Sequence, residues 1–358
     1  MNIAFFGSSL VSAYWNGAAT YYRGILKALA NQGHNITFYE PDAYDRQQNR
    51  DIADPPYAHV VVYPGNLSDG DLAGLVETAG QSADLLVKAS GVGVYDALLE
   101  SLVLQVRRPN QTVVFWDVDA PATLDRVEAD STDSFLPLIA QYDLVFTYGG
   151  GQPVIDAYTR LGAKRCIPIY NALDPDTHHP VLPDARFEAD LGFLGNRLPD
   201  REARVEDFFL QAASLLPDRK FLLGGSGWGD KGMPANVHYV GHVYTADHNA
   251  FNCTPRAVLN INRDSMARYG FSPPTRVFEA AGAGACLLSD KWEGIETFLE
   301  PDREVLVAQN GAEVADIVSR LTPERAKQIG EAARARVLAE HTYTRRAQLV
   351  EQILKGEA

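Results

Sequence analysis

The sequence predicts an α/β protein built from two open, parallel-sheet domains facing each other across a cleft. Three observations lead there. Short apolar runs alternate with helix-period segments along the whole chain, the alternation restarts near residue 190, and a proline-bearing stretch with little periodicity separates the two series. Strands that are apolar throughout and divided by helices belong to parallel sheets covered on both faces. A length of 358 residues suits two domains.

In the first half, strands are expected at Ile3–Phe6, Ile36–Tyr39, Val60–Tyr63, Leu85–Val87, Val113–Trp116, Leu144–Thr147 and Cys166–Pro168. The helix Ala19–Asn31 carries Tyr22, Ile25, Leu26 and Leu29 on one face, and Gly33 stops it. The second series is Leu191–Leu194, Phe221–Leu223, Val237–Val240, Val258–Ile261, Leu287–Ser289 and Val305–Val307, with a helix from Arg201 to Leu215. The expected domains are therefore 1–170 and 186–340. Residues 171–185, with Pro175, Pro180 and Pro183, read as the hinge, and 341–358 as a final helix.

Hydrophobic residues make up 46% of the chain, which excludes a disordered protein. Lys and Arg number 32 against 46 Asp and Glu, a net charge of −14, so neither nucleic acid nor an anionic lipid surface is an expected partner. Cys166, Cys253 and Cys286 lie far apart with no CxxC pair, which suits a reducing compartment rather than a disulfide framework or structural zinc. The first residues read as a strand, not a leader, and no apolar run reaches the roughly 20 residues of a membrane span. The expectation is a soluble, cytoplasmic protein with no integral membrane segment.

Ligands of open α/β sheets bind beyond the carboxyl ends of the strands, so the residues following strands carry the functional reading. The segment Arg268–Asp290 is the most informative. Ser272 is the expected N-cap, ahead of Pro273, Pro274 and Thr275 in the first turn. A helix start is an anion site. Arg276 opposes that dipole, which suggests a task such as gripping a diphosphate, and Glu279 shares its face, where it can accept from two hydroxyls. Arg276 and Glu279 could equally pair with each other.

Phe278-Glu279-Ala280-Ala281-Gly282-Ala283-Gly284 followed by Leu287-Leu288-Ser289-Asp290 resembles the donor-binding region of the GT-B glycosyltransferases related to glycosyltransferase group 1, most closely the CgeB-like branch. The family glutamate binds the nucleotide ribose. Many members have an acidic residue eight positions earlier, where this chain has Phe271. Gln32-Gly33-His34-Asn35-Ile36 resembles the family's helix stop before its second strand. Ile169-Tyr170-Asn171-Ala172-Leu173-Asp174 with His178, His179 and Pro180 resembles its linker, so these histidines, with Asp174 and Asp176, read as hinge; the residue types also allow a metal site, though no rigid element fixes the ligands.

The resemblance implies two Rossmann-like domains, the first on the acceptor side and the second binding a nucleotide-sugar, with the last helix bracing the first. It implies transfer of a sugar from a nucleotide-diphosphate-sugar donor to an acceptor, retaining and without a bound metal or resident cofactor. The loop Gly195-Asn196-Arg197 matches the position that contacts donor phosphates. Gly225 lies in a glycine-rich turn, His242 and Val243 match the loop bracketing the base, and Arg263 is a second phosphate clamp. On the acceptor side, Gly7, Asn16, Gly17 and Gly150 are expected to line the cleft. Asp117 and Asp119 are the candidates for an acceptor-side base, or only cap a loop. A sugar-nucleotide epimerase and a non-catalytic nucleotide-sugar-binding protein are the rival readings on the same fold.

Overall fold

A computed structural model describes residues 1–357. The chain divides into two units: Met1–Tyr170 with the segment from Tyr343 onward, and Asn171–Thr342.

The first unit holds seven strands, β1 (Asn2–Phe6), β2 (Asn35–Asp42), β3 (His59–Pro64), β4 (Leu85–Ala89), β5 (Thr112–Asp117), β6 (Leu144–Thr147) and β7 (Cys166–Pro168). All pair in parallel in the order β3-β2-β1-β4-β5-β6-β7. Seven apolar runs with helices between them can bury both faces only in such a sheet. Phe5 of β1 lies opposite Phe38 and Val87, and its ring stacks on Phe38 at 5.4 Å and meets Trp116 at 5.7 Å. Each such pair stabilises by roughly 1 kcal/mol beyond the area it buries. The helix Ala19–Asn31 packs against the last helix, Tyr343–Lys355. The contact is close: a Cβ on Gly24 would fall 2.1 Å from the Tyr343 ring.

The second unit repeats the plan with six parallel strands, β8 (Leu191–Leu194), β9 (Phe221–Gly224), β10 (Val237–Gly241), β11 (Ala257–Asn260), β12 (Leu287–Asp290) and β13 (Leu306–Ala308), in the order β10-β9-β8-β11-β12-β13. Its core gathers Phe193, Phe209, Phe221, Trp228, Leu259, Leu288 and Val314. Residues 171–185, read from sequence as a hinge, pack within this unit. Asn171 donates to Pro273 O at 3.0 Å, Asn249 donates to Thr177 O at 2.9 Å, and Asp184 N donates to the Thr254 hydroxyl at 2.9 Å.

Every expected strand is present, most within a residue or two of its sequence limits. The largest extension is β2, which runs to Asp42 because β3 pairs with it up to Asp42 opposite Pro64. In each unit the strand order reverses direction at one place, between β1 and β4 and between β8 and β11. Loops that leave these strands diverge there and open a crevice.

Candidate functional site

The crevice of the second unit is edged by Gly195-Asn196-Arg197 after β8 and Asn262-Arg263 after β11. Arg201 there lies within electrostatic reach of two further arginines, Arg263 and Arg276. Arg201 sits one turn into the helical run that starts at Pro199, where proline suits the first position. Its Nη2 donates to Asn196 O at 2.5 Å and its guanidinium lies 5.9 Å from the Phe193 ring. Burial pushes its pKa down to about 10; the charges of Arg276 and Arg263 push the same way and Asp200 opposes them. Arg263 donates from Nε to Asp200 at 2.6 Å. Arg276 is largely buried, reaches Asn252 Oδ1 at 3.3 Å and Glu279 at 3.6 Å, and burial depresses its pKa too. The Nε atoms of Arg201 and Arg276 and the Nδ2 of Asn262 are buried without a hydrogen-bond partner. Like charges held together with unpaired donors are unfavourable for the protein alone and favourable for an anion with several oxygens.

The loop carrying Arg263 is fixed from behind. Asn262 N donates to Asp290 Oδ2 at 3.1 Å, and Asp290 pairs with Arg204 at 2.6 Å. Beside the arginines runs the helix Thr275–Gly282. Burial pushes the Glu279 carboxyl up, but the neighbouring Arg276 charge foremost outweighs it and holds the carboxyl below its ordinary range. Arg276 and Glu279 thus pair loosely with each other, one of the two outcomes the sequence left open.

Several expectations are corrected. Ser272 is not the N-cap: that position is Pro274, and the Ser272 hydroxyl donates to Gly270 O at 2.8 Å. Two prolines after Ser272 keep the backbone extended, so the helix begins at Thr275 with no side-chain cap. Phe271 adopts a positive φ of 44°, and its ring lies against Gly294. Arg197 stands apart from the arginine group: it pairs with Glu202 at 2.7 Å and Asp230 at 2.9 Å, and its N–H donates to Ser226 O. Asn196 Oδ1 likewise accepts from Ser226 N. Gly195 and Gly225 are in backbone contact: a Cβ on Gly225, whose φ is +119°, would lie 2.2 Å from Gly195 O. These two loops buttress each other, and the cation they deliver is Arg201. A strand-end reading stops at Arg197; a basic residue four positions further, one helical turn on, was the available signal. His242 is exposed against Tyr244, while Val243 is buried and its carbonyl lies 3.2 Å from His248 Nε2.

In the first unit, Asp117 is wholly buried and its oxygens are taken by Ser90 at 2.7 Å, Thr123 at 3.1 Å, Asp119 N at 3.0 Å and Tyr158 at 2.5 Å. Burial pushes its carboxyl up, opposed by Tyr158 and Ser90. It is a knot tying β4, β5 and two helices, not a base open to an acceptor. Asp119 is partly exposed at the start of the helix Ala120–Ala129. Asn16 is also spent internally, accepting from Ser8 and donating to Ser9 O and Ser12 O. Gly7 lies against Phe38, Gly150 is the left-handed cap of the helix Gly151–Arg160, and Gly17 is exposed with open space around its Cα.

Whole-chain comparison decides the fold. Sucrose-phosphate synthase of Thermosynechococcus elongatus superposes with a TM-score of 0.71 at 15% identity, covering 99% of this chain and 98% of that one. Anabaena HepE in complex with UDP and glucose gives 0.69 at 14%, covering 99% and 100%. An alpha-glucosyltransferase in complex with UDP-glucose and abasic DNA gives 0.72 at 10%, covering 99% of each chain. The fold is that of the GT-B glycosyltransferases. Residues 201–352 match the model of a family described as glycosyl transferase-like. In GT-B terms, that match begins at Arg201 and spans Arg263, Arg276 and Glu279. No curated protein sequence matches the chain.

Proposed function

We propose that this chain is a glycosyltransferase that takes a sugar from a nucleotide-diphosphate-sugar held by its second unit. One observation carries the reading: Arg201, Arg263 and Arg276 converge at the strand-order reversal of the second sheet, beside Glu279. Three guanidiniums offer the planar, multidentate donors a diphosphate takes, and they stabilise the charge that builds on it as the glycosidic bond breaks. Glu279, held ionised, accepts from two ribose hydroxyls. The match of residues 201–352 to a glycosyl transferase-like family and the UDP and UDP-glucose bound by GT-B neighbours support a UDP-sugar as donor. Arginine alone supplies the positive charge in this reading, so transfer proceeds without a bound metal, with retention, as in the CgeB-like proteins its motifs resemble.

On the acceptor side the first unit offers Asp119; with Asp117 sealed, an epimerase would lack half of its acid–base set. A reducing, cytoplasmic setting fits three unpaired cysteines, of which Cys166 and Cys286 are buried with thiols pushed up to about 12. No helix among the described residues is long and apolar enough to cross a membrane. The test is a thermal-shift screen of UDP, GDP, TDP and ADP, followed by release of the nucleoside diphosphate from its sugar conjugates. A selective shift and release from the matching conjugate are expected. A flat screen with no release would overturn the proposal.

A further inference from the structure

His178, His248 and Glu279 come from three separate stretches of the second unit: the segment after Asn171, the short helix His248–Cys253 and the helix Thr275–Gly282. Their ligating atoms all lie within 4.8 Å of one another, and His178 and Glu279 are buried. Two imidazoles and one carboxylate are the donor set of zinc sites that keep a fourth position open. We propose that these three residues bind a divalent cation of the zinc class. On the reading of Glu279 given above, such a cation and the donor ribose compete for the same carboxylate, so the metal excludes the donor.

The local chemistry supports a ligand role. Metal binding needs neutral imidazoles and an ionised carboxylate. His248 Nε2 lies 3.2 Å from Val243 O. An N–H donated to a backbone carbonyl is the usual outer contact of a metal-bound histidine, and it leaves Nδ1 as the coordinating atom. Tetrahedral zinc with bonds of about 2.0–2.1 Å sets its ligand atoms roughly 3.4 Å apart. The three groups therefore need to close by at most about 1.4 Å, a side-chain adjustment. Two nitrogen donors favour zinc, cobalt, nickel or copper over magnesium or calcium, which take oxygen. The other charged groups facing the cluster set its strength. Arg276, 3.6 Å from Glu279, opposes a cation; Asp174 near His178 favours one. The site is therefore exchangeable rather than structural.

The experiment uses the full chain, freed of metal with a chelator and desalted. Titration with Co²⁺ is followed by visible absorption, and Zn²⁺ binding by calorimetry. One equivalent should bind with a four- or five-coordinate cobalt spectrum that Zn²⁺ displaces. His248→Ala and His178→Gln should each weaken binding at least tenfold, while His179→Ala, at the exposed neighbour, leaves it unchanged. Two separate variants, each with its melting curve recorded in chelator, guard against a folding defect in either. Saturating Zn²⁺ should weaken UDP binding at least tenfold. Absence of binding, or binding that survives both variants, overturns the metal site. Full UDP affinity at metal saturation overturns the sharing of Glu279. Failure of UDP to bind the chelated protein would instead count against the donor reading, while the cobalt spectrum still decides the metal site.

Discussion

Replacing Arg201 with methionine separates a binding guanidinium from a structural one. Methionine keeps the length and apolar stem and removes only the charge and donors. Burial and the neighbouring Arg276 and Arg263 bring the Arg201 pKa from the ordinary arginine range to about 10. At about 1.4 kcal/mol per tenfold change in proton affinity, discounted for partial exposure, its charge costs the folded protein roughly 2–3 kcal/mol. The variant loses the hydrogen bond to Asn196 O, a net of about 1 kcal/mol. Stability should therefore stay level or rise by about 1–2 kcal/mol, read as a shift of a few degrees in Tm. UDP binding should weaken by about 1.5–3 kcal/mol, the value of a charge-assisted hydrogen bond, or roughly 10- to 150-fold in Kd. Opposite signs for stability and affinity are the signature of a strained site. A variant that unfolds more easily yet binds UDP within twofold of the parent would refute the reasoning and make Arg201 a structural residue.

Gly225→Ala should destabilise the second unit by more than about 3 kcal/mol, because its φ of +119° and the 2.2 Å approach to Gly195 O leave no room for a Cβ; Gly17→Ala, with nothing within 4 Å, should stay within about 0.5 kcal/mol in urea unfolding. Asp117→Ala should cost at least about 3 kcal/mol by stranding the donors of Ser90, Tyr158 and Asp119 N. Asp119→Ala should cost under about 1 kcal/mol and instead lower sugar transfer at least tenfold, as measured by product formation. Lys88 is wholly buried and pairs with Asp96 at 2.6 Å and Glu100 at 3.7 Å, so Lys88→Met should destabilise by about 3–5 kcal/mol at pH 7. Burial pushes the Asp96 carboxyl up, but Lys88 outweighs it and holds it below its ordinary value. That stabilisation is complete above the unfolded carboxylate pKa of about 4 and is lost as the pH falls through the lower folded value, so the Lys88→Met penalty should shrink in acid.

The sheets were legible because a buried parallel strand must be apolar throughout, a constraint written in consecutive residues such as Leu191–Leu194 and Leu144–Thr147. The same holds for the helix bearing Arg276 and Glu279, whose spacing puts both on one face. What stayed hidden depends on segments far apart in the chain. Arg201 belongs to the site because β8 and β11 are neighbours, a fact of pairing rather than of local pattern. His178 joins His248 and Glu279 because residues 171–185 pack within the second unit. Asp117 looked available because it ends a strand, but its accessibility was decided by Ser90, Thr123 and Tyr158, from three other elements. Ser272 failed as a cap because the two prolines after it delay the helix.

The return of the last helix to the first unit bears on how the molecule is made. The second unit is one continuous stretch, Asn171–Thr342, inserted into a first unit whose final piece begins at Tyr343. Tyr343 fills the space beside Gly24, and its ring meets Tyr21 at 6.0 Å. During synthesis, residues 1–170 leave the ribosome first yet cannot complete their own core until about 170 further residues have followed. The second unit, though made later, is complete at Thr342, before the first unit gains its last helix. The first-made unit is thus the last to be completed, and the side of its first helix that bears Gly24 and Tyr21 stays uncovered until the chain's closing turns arrive.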